Sequence, residues 1–188
     1  VVLSLRDVMK RLYNITLMNH NFAAREMAIG IHSSAMYDTA SASEMNSTAV
    51  ITKEEGAQKL IIVSPFIQPR SSVLDPTVLY SLTPEYSAYS AVDIITHMLE
   101  GYFNNREPES PLQDRLVEGI VKTVMESTKS VLNDPQNYNA RANMMWSATL
   151  AFNGLTTAGM GFVSFPAHMM GHSLSAMYDI AHGAGLSI

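Results

Sequence analysis

Apolar residues recur along this chain with two different periods. In residues 2–20, Val8, Leu12, Ile15, Leu17 and Met18 return at near-helical spacing, with Arg6, Lys10 and Arg11 between them. That pattern predicts a helix, and residues 22–36, rich in Ala and Met, predict a second. His20 and His32 each stand alone and are read as surface or satisfied histidines. Residues 37–48 lose the period and turn small and hydroxylated, which predicts a loop or short helix entry. Ser43 and Glu44 could cap backbone N–H groups there. Residues 49–53 and 58–64 are rich in β-formers and flank Lys53-Glu54-Glu55-Gly56, so a hairpin is predicted. Ser71-Ser72-Val73-Leu74 predicts a further short strand before Asp75-Pro76.

From residue 83 the period is helical almost to the end. Thr83-Pro84-Glu85 marks a helix start, with Thr83 as N-cap and Pro84 in the first turn. That helix should reach about residue 103, before Asn104-Asn105 and Pro108. Ser110-Pro111-Leu112-Gln113 has the capping-box pattern and opens a helix to about residue 132. Leu116, Ile120, Val124 and Val131 form its apolar stripe. After the turn at Asn133-Asp134-Pro135, a third helix is expected over about 140–156, before Gly154, Gly159 and Gly161 break the pattern. The fold class is therefore mainly α with a small β-hairpin. Three regions are expected: a helical segment over 1–36, a loop and hairpin region over 37–82, and a helical metal-binding domain over 83–188.

Candidate chemistry sits inside the apolar helical segments. Asp93 and His97 are four apart among Ala91, Val92, Ile94, Ile95, Met98 and Leu99. A buried carboxylate there is costly unless it is paired or bound to a cation. His168 and His172 are also four apart, so they share a helix face, and His182 follows just before a glycine-rich stop at Gly183 and Gly185. Either pair alone is an ordinary i,i+4 surface pair. Together, one carboxylate and four imidazoles suggest two segments that meet around one divalent ion. An oxygen-and-nitrogen set without thiolates suits Fe²⁺ or Zn²⁺. Five candidates exceed about four positions, and spacing does not say which histidine is left over.

Composition narrows the picture further. The 188 residues carry a net charge of −5 with only 12 Lys and Arg, which argues against nucleic acid as a partner. The absence of cysteine excludes a disulfide scaffold and thiolate zinc sites, and fits a cytoplasmic protein. No apolar run approaches the ~20 residues of a membrane span, and the first residues lack a signal-peptide pattern. The thirteen methionines are read as flexible core filler.

Asp93-x-x-x-His97 with Glu100, His168-x-x-x-His172 and His182-Gly183 together resemble the iron-containing (group III) alcohol dehydrogenases, most closely the butanol-dehydrogenase-type branch. Leu174-Ser175-Ala176-Met177-Tyr178-Asp179 fits that branch, and the loop Ser41-Ala42-Ser43-Glu44-Met45-Asn46 is similar to a family loop that approaches the cofactor. The likeness covers roughly residues 39–188. It implies the helical half of a dehydroquinate-synthase-like fold, with Asp93, His97, His168 and His182 as metal ligands. It implies that His172 lies near the nicotinamide and substrate as a proton relay. It also implies that Ser41 and Lys59 contact the cofactor.

The implied reaction moves a hydride between NAD(P)H and an aldehyde or primary alcohol, with Fe²⁺ or Zn²⁺ polarising the substrate oxygen. A small-molecule alcohol or aldehyde is the expected partner, and the reading leaves room for a homodimer. Residues 1–36 hold one glycine, Gly30, and do not resemble the family's nucleotide-binding domain. The chain is therefore expected to be a core piece, truncated or rearranged. The alternative is a helical metal-binding module with no turnover of its own. A metallohydrolase is a weaker third option, because there is no His-Glu-x-x-His and Glu100 reads as structural rather than as a base.

Overall fold

The structure is a computed structural model that describes residues 42, 44–53, 56, 58–69, 72, 74–107 and 109–188. The helices expected over 2–20 and 22–36 lie outside the described residues, as do His20, His32, Ser41 and Ser43.

The hairpin forms as the two runs of β-forming residues predict. Strands β1 (Thr48–Lys53) and β2 (Gln58–Val63) pair antiparallel, from Thr48 opposite Val63 to Lys53 opposite Gln58. Gly56, at φ +87°, supplies the left-handed backbone that the turn needs. Residues 71 and 73 of the strand expected at 71–74 lie outside the described residues. Beyond it a 3-10 helix spans Pro76–Ser81, capped by Asp75, whose carboxylate accepts from the Thr77 N–H.

Five α-helices follow: α1 (Pro84–Phe103), α2 (Pro111–Asn133), α3 (Tyr138–Phe152), α4 (Pro166–Tyr178) and α5 (His182–Leu186). Thr83 caps α1 by accepting from the Tyr86 N–H at 3.3 Å. The predicted capping box at α2 does not form. Ser110 makes no backbone cap and its hydroxyl faces Asp114, while Gln113 reaches the Leu155 carbonyl. Helix α3 starts and stops earlier than its apolar pattern suggests. Asn137 accepts from the Ala140 N–H at its start, and Gly154 lies beyond its end in a left-handed conformation. The expected stop at Gly183 and Gly185 is instead the body of α5.

One apolar core joins α1, α2 and α3. Ala91, Ile94 and Met98 of α1 pack with Val117, Val124 and Val131 of α2 and with Ala140, Met144, Ala148 and Ala151 of α3. Burial of these side chains from water is the main favourable term. Asp93, His97 and Glu100 occupy a different face of α1, because 3.6 residues per turn separates the two sets. Helices α4 and α5 cover that second face, and β2 packs against α4. Methionine fills the core at Met98, Met144, Met145 and Met160. Met125, Met169, Met170 and Met177 are exposed, so core filling accounts for only part of the methionine content. Glu44 was expected to cap backbone; it is buried instead, and its carboxylate accepts from the Thr149 hydroxyl.

Candidate metal centre

Three helices build the centre. Helix α1 carries Asp93 and His97 one turn apart, α4 carries His168 and His172 one turn apart, and α5 begins at His182. Asp93 is 1% exposed, and its Oδ1 is the point on which the imidazoles gather. His168 Nε2 lies 3.1 Å from that oxygen, His97 Nδ1 3.3 Å and His182 Nε2 3.6 Å. Among the described residues, one donor atom each from Asp93, His168 and His182 lie within 4.8 Å of one another. His97 stands just outside that trio, with its ring 4.0 Å from the His168 ring. His172 is set further back and meets the centre through His182, ring to ring at 5.0 Å.

The approach of α5 depends on Gly183. A Cβ at that position would sit 2.2 Å from the Tyr89 carbonyl oxygen, so only glycine lets the turn after His182 close onto α1. Helix α4 ends at Asp179 in the left-handed region, a conformation Asp tolerates, and this turns the chain toward His182. Lys59 reaches across from β2. Its Nζ donates to Ser175 Oγ at 2.7 Å, and that hydroxyl donates to the Ile180 carbonyl.

Glu100, one further turn along α1, faces the start of α4. Its Oε1 accepts from the Ala167 N–H and its Oε2 pairs with His168 Nδ1. Phe152 and Phe165 flank His97, at 4.7 and 6.2 Å between ring centres, and wall the centre with apolar surface.

Burial dominates the electrostatics. It pushes His97 well below its ordinary pKa, helped by the neighbouring His168 and His182. It lowers His182 to about 4 against the opposing pull of Asp93. His172 is also lowered, by burial and then by the Lys59 charge. Burial works against the charged form of His168 too, but hydrogen bonds to Asp93 and Glu100 outweigh it and leave that pKa raised. Lys59 is lowered by burial, with Asp179 opposing.

Several buried polar atoms here have no hydrogen-bond partner: Asp93 Oδ2, His97 Nδ1, His172 Nδ1 and His182 Nδ1. Buried polar atoms are normally satisfied, so four orphans in one place mark a site for a ligand. A carboxylate with neutral imidazoles is a donor set that fits Fe²⁺ or Zn²⁺.

Of the residues singled out in the sequence, Asp93, His97, His168, His172 and His182 are thus brought to one place. Lys59 lies on its rim, beside Ser175, and Ser41 is outside the described residues. The contact of Glu100 with His168 was not foreseen. Its signals in the sequence are its place in the Asp93-x-x-x-His97 motif and its position seven residues after Asp93, on the same helix face.

A mainly helical body with a buried carboxylate–histidine cluster is the class that this fold and site define. Comparison with known proteins makes it specific: the chain belongs to the iron-containing alcohol dehydrogenase family. The family model described as "Fe-containing alcohol dehydrogenase family, C-terminal" matches residues 87–188.

The chain is 42% identical over 149 residues to NADH-dependent butanol dehydrogenase B of Clostridium acetobutylicum, a match that covers 79% of this chain and 38% of that protein. It is 40% identical over 149 residues to the NADPH-dependent aldehyde reductase YqhD of Escherichia coli, with the same two coverages. The crystal structure of NADH-dependent butanol dehydrogenase A from Thermotoga maritima superposes with a TM-score of 0.76 at 43% identity, covering 80% of this chain and 37% of that one. The chain therefore spans about 38% of the length of the curated relatives it matches.

Proposed function

We propose that residues 83–188 are the metal-holding domain of an NAD(P)H-dependent alcohol or aldehyde dehydrogenase, with Asp93, His97, His168 and His182 as ligands to Fe²⁺ or Zn²⁺. The observation that carries this reading is the convergence of one carboxylate and three imidazoles from three helices, with Asp93 Oδ2 buried and unpartnered. The names of the similar proteins supply the reaction class: reduction of an aldehyde by a nicotinamide cofactor, and its reverse on a primary alcohol. When bound, the ion would act as a Lewis acid toward the substrate oxygen.

The chain's own residues do the rest. Phe152 and Phe165 exclude water beside His97, which strengthens the electrostatics of the centre. His172 keeps an unpartnered Nδ1 and is assigned the proton that must reach the carbonyl oxygen as the hydride reaches the carbon. Lys59 is assigned to the cofactor side, as is Ser41 by the likeness of its loop. Lys59 stands within 2.7 Å of Ser175, on the helix that carries His168 and His172. A small alcohol or aldehyde is the substrate class.

A second reading has its own support. Among the described residues no strand runs through a glycine-rich turn into a helix, the usual cradle for a pyrophosphate. In that reading the chain holds the ion without turning over substrate.

Both readings are tested on the purified chain by metal analysis and by aldehyde-dependent loss of NAD(P)H. Asp93→Ala and His168→Ala are expected to lower metal content by more than the ~10–100-fold that loss of an outer partner costs. His172→Ala is expected to keep the metal and to lose turnover. Equal metal loss in all three variants would show that the sorting of the histidines is wrong. Turnover by the wild-type chain alone would remove the second reading.

A further inference from the structure

Of the four imidazoles at the centre, three have an Nδ1 without a hydrogen-bond partner. His168 alone has its Nδ1 held, and the group holding it is a buried carboxylate. Glu100 is 6% exposed, and no Lys or Arg pairs with it among the described residues. Both its oxygens are committed to the start of α4: Oε1 to the Ala167 N–H, and Oε2 to His168 Nδ1 and, at 3.4 Å, to the His168 N–H. Helix α4 has no side-chain cap of its own, because Phe165 occupies the capping position. Its free N–H groups are thus satisfied from α1, the helix that also carries Asp93 and His97.

We propose that Glu100 is the positioning residue of the centre: it holds His168 in the Nδ1–H tautomer, so that Nε2 keeps its lone pair for an ion held beside Asp93, and it pins the start of α4 to α1. This inference rests on the metal-holding reading given above and adds a residue to it. The logic is geometric. An imidazole that donates from Nδ1 has only Nε2 left as an acceptor or ligand atom. Here Nε2 is the atom 3.1 Å from Asp93 Oδ1. A carboxylate behind a ligating imidazole also raises its basicity and fixes its ring plane. Because Asp93, His97 and Glu100 share one helix face, one rigid element sets the carboxylate, one imidazole and the orientation of a second.

The test uses the whole 188-residue chain titrated with Zn²⁺, with ring ¹⁵N–¹H correlation spectra of the zinc-loaded form. Glu100→Gln keeps an oxygen for the Ala167 N–H but presents an amide N–H₂ to His168, which favours the opposite tautomer. Zinc affinity should fall by about 10–100-fold. The wild-type chain should show a deshielded Nδ1 proton of His168 that disappears in this variant, while helix content is retained. Glu100→Asp, too short to span both contacts, should restore part of the affinity.

Wild type and Glu100→Gln binding zinc equally would overturn this inference and leave the metal centre standing. A wild-type chain that takes up no zinc would overturn both. Should Glu100→Gln fail to fold, the wild-type spectrum decides: a zinc-loaded His168 protonated at Nε2 would sink the proposal.

Discussion

Gly183 shows how much one missing side chain can decide. The residue after His182 comes so near the Tyr89 backbone that a Cβ would overlap its carbonyl, at 2.2 Å from the oxygen and 2.6 Å from the carbon. Backbone cannot yield as a flexible side chain does. Gly183→Ala should therefore push α5 off α1 and cost at least the ~1–3 kcal/mol typical of overpacking. The more telling effect is on the centre, since His182 would leave Asp93. We expect zinc uptake to fall sharply, and zinc titration beside a urea melt checks both effects. An alanine variant that binds zinc like wild type would mean that the α5 contact is not needed. By contrast Gly171, whose added Cβ would meet the Leu186 side chain at 3.2 Å and the edge of the His182 ring at 4.0 Å, should tolerate alanine far better.

At the scale of the element, most of the architecture was legible as local pattern. Two runs of β-formers marked the hairpin, and Thr83-Pro84 marked the start of α1 because a hydroxyl and a fixed φ suit that position. Where the reading failed, a competing partner was responsible. Ser110 found Asp114, and Gln113 found a distant carbonyl. The start of α3 belongs to Asn137, whose side chain accepts from the Ala140 N–H at 3.0 Å. Asn137→Ala should destabilise the chain by ~1 kcal/mol and leave zinc affinity unchanged, because α3 gives the centre only the Phe152 ring. Denaturant unfolding with and without zinc separates the two effects; a loss of affinity would tie the cap to the site after all.

At the scale of the whole molecule, the buried and exposed sides of the helical body differ from those of the hairpin. The helices bury a continuous core, and no helix among the described residues is long and apolar enough to cross a membrane. On β2, Leu60, Ile61, Ile62 and Val63 all remain exposed, Val63 at 70%. Among the described residues this is a two-stranded sheet with exposed apolar residues, a template for self-association. Val63→Lys should therefore reduce concentration-dependent association in light scattering, with helix content and zinc binding unchanged. A variant that associates like wild type would locate the sticky surface elsewhere.

The amino-acid sequence by itself determined the helical body, the hairpin and the short set of residues able to hold a cation. Those follow from spacing, turn chemistry and residue type, all of which are local. Only the tertiary structure decided that His97, His168 and His182 gather on Asp93 Oδ1, and that Glu100 stands behind His168. It also decided that the glycines after His182 form a helix rather than end one. Those facts depend on distances between residues 68 to 89 positions apart in the chain. No local period encodes such distances; the packing of α4 and α5 on the second face of α1 does.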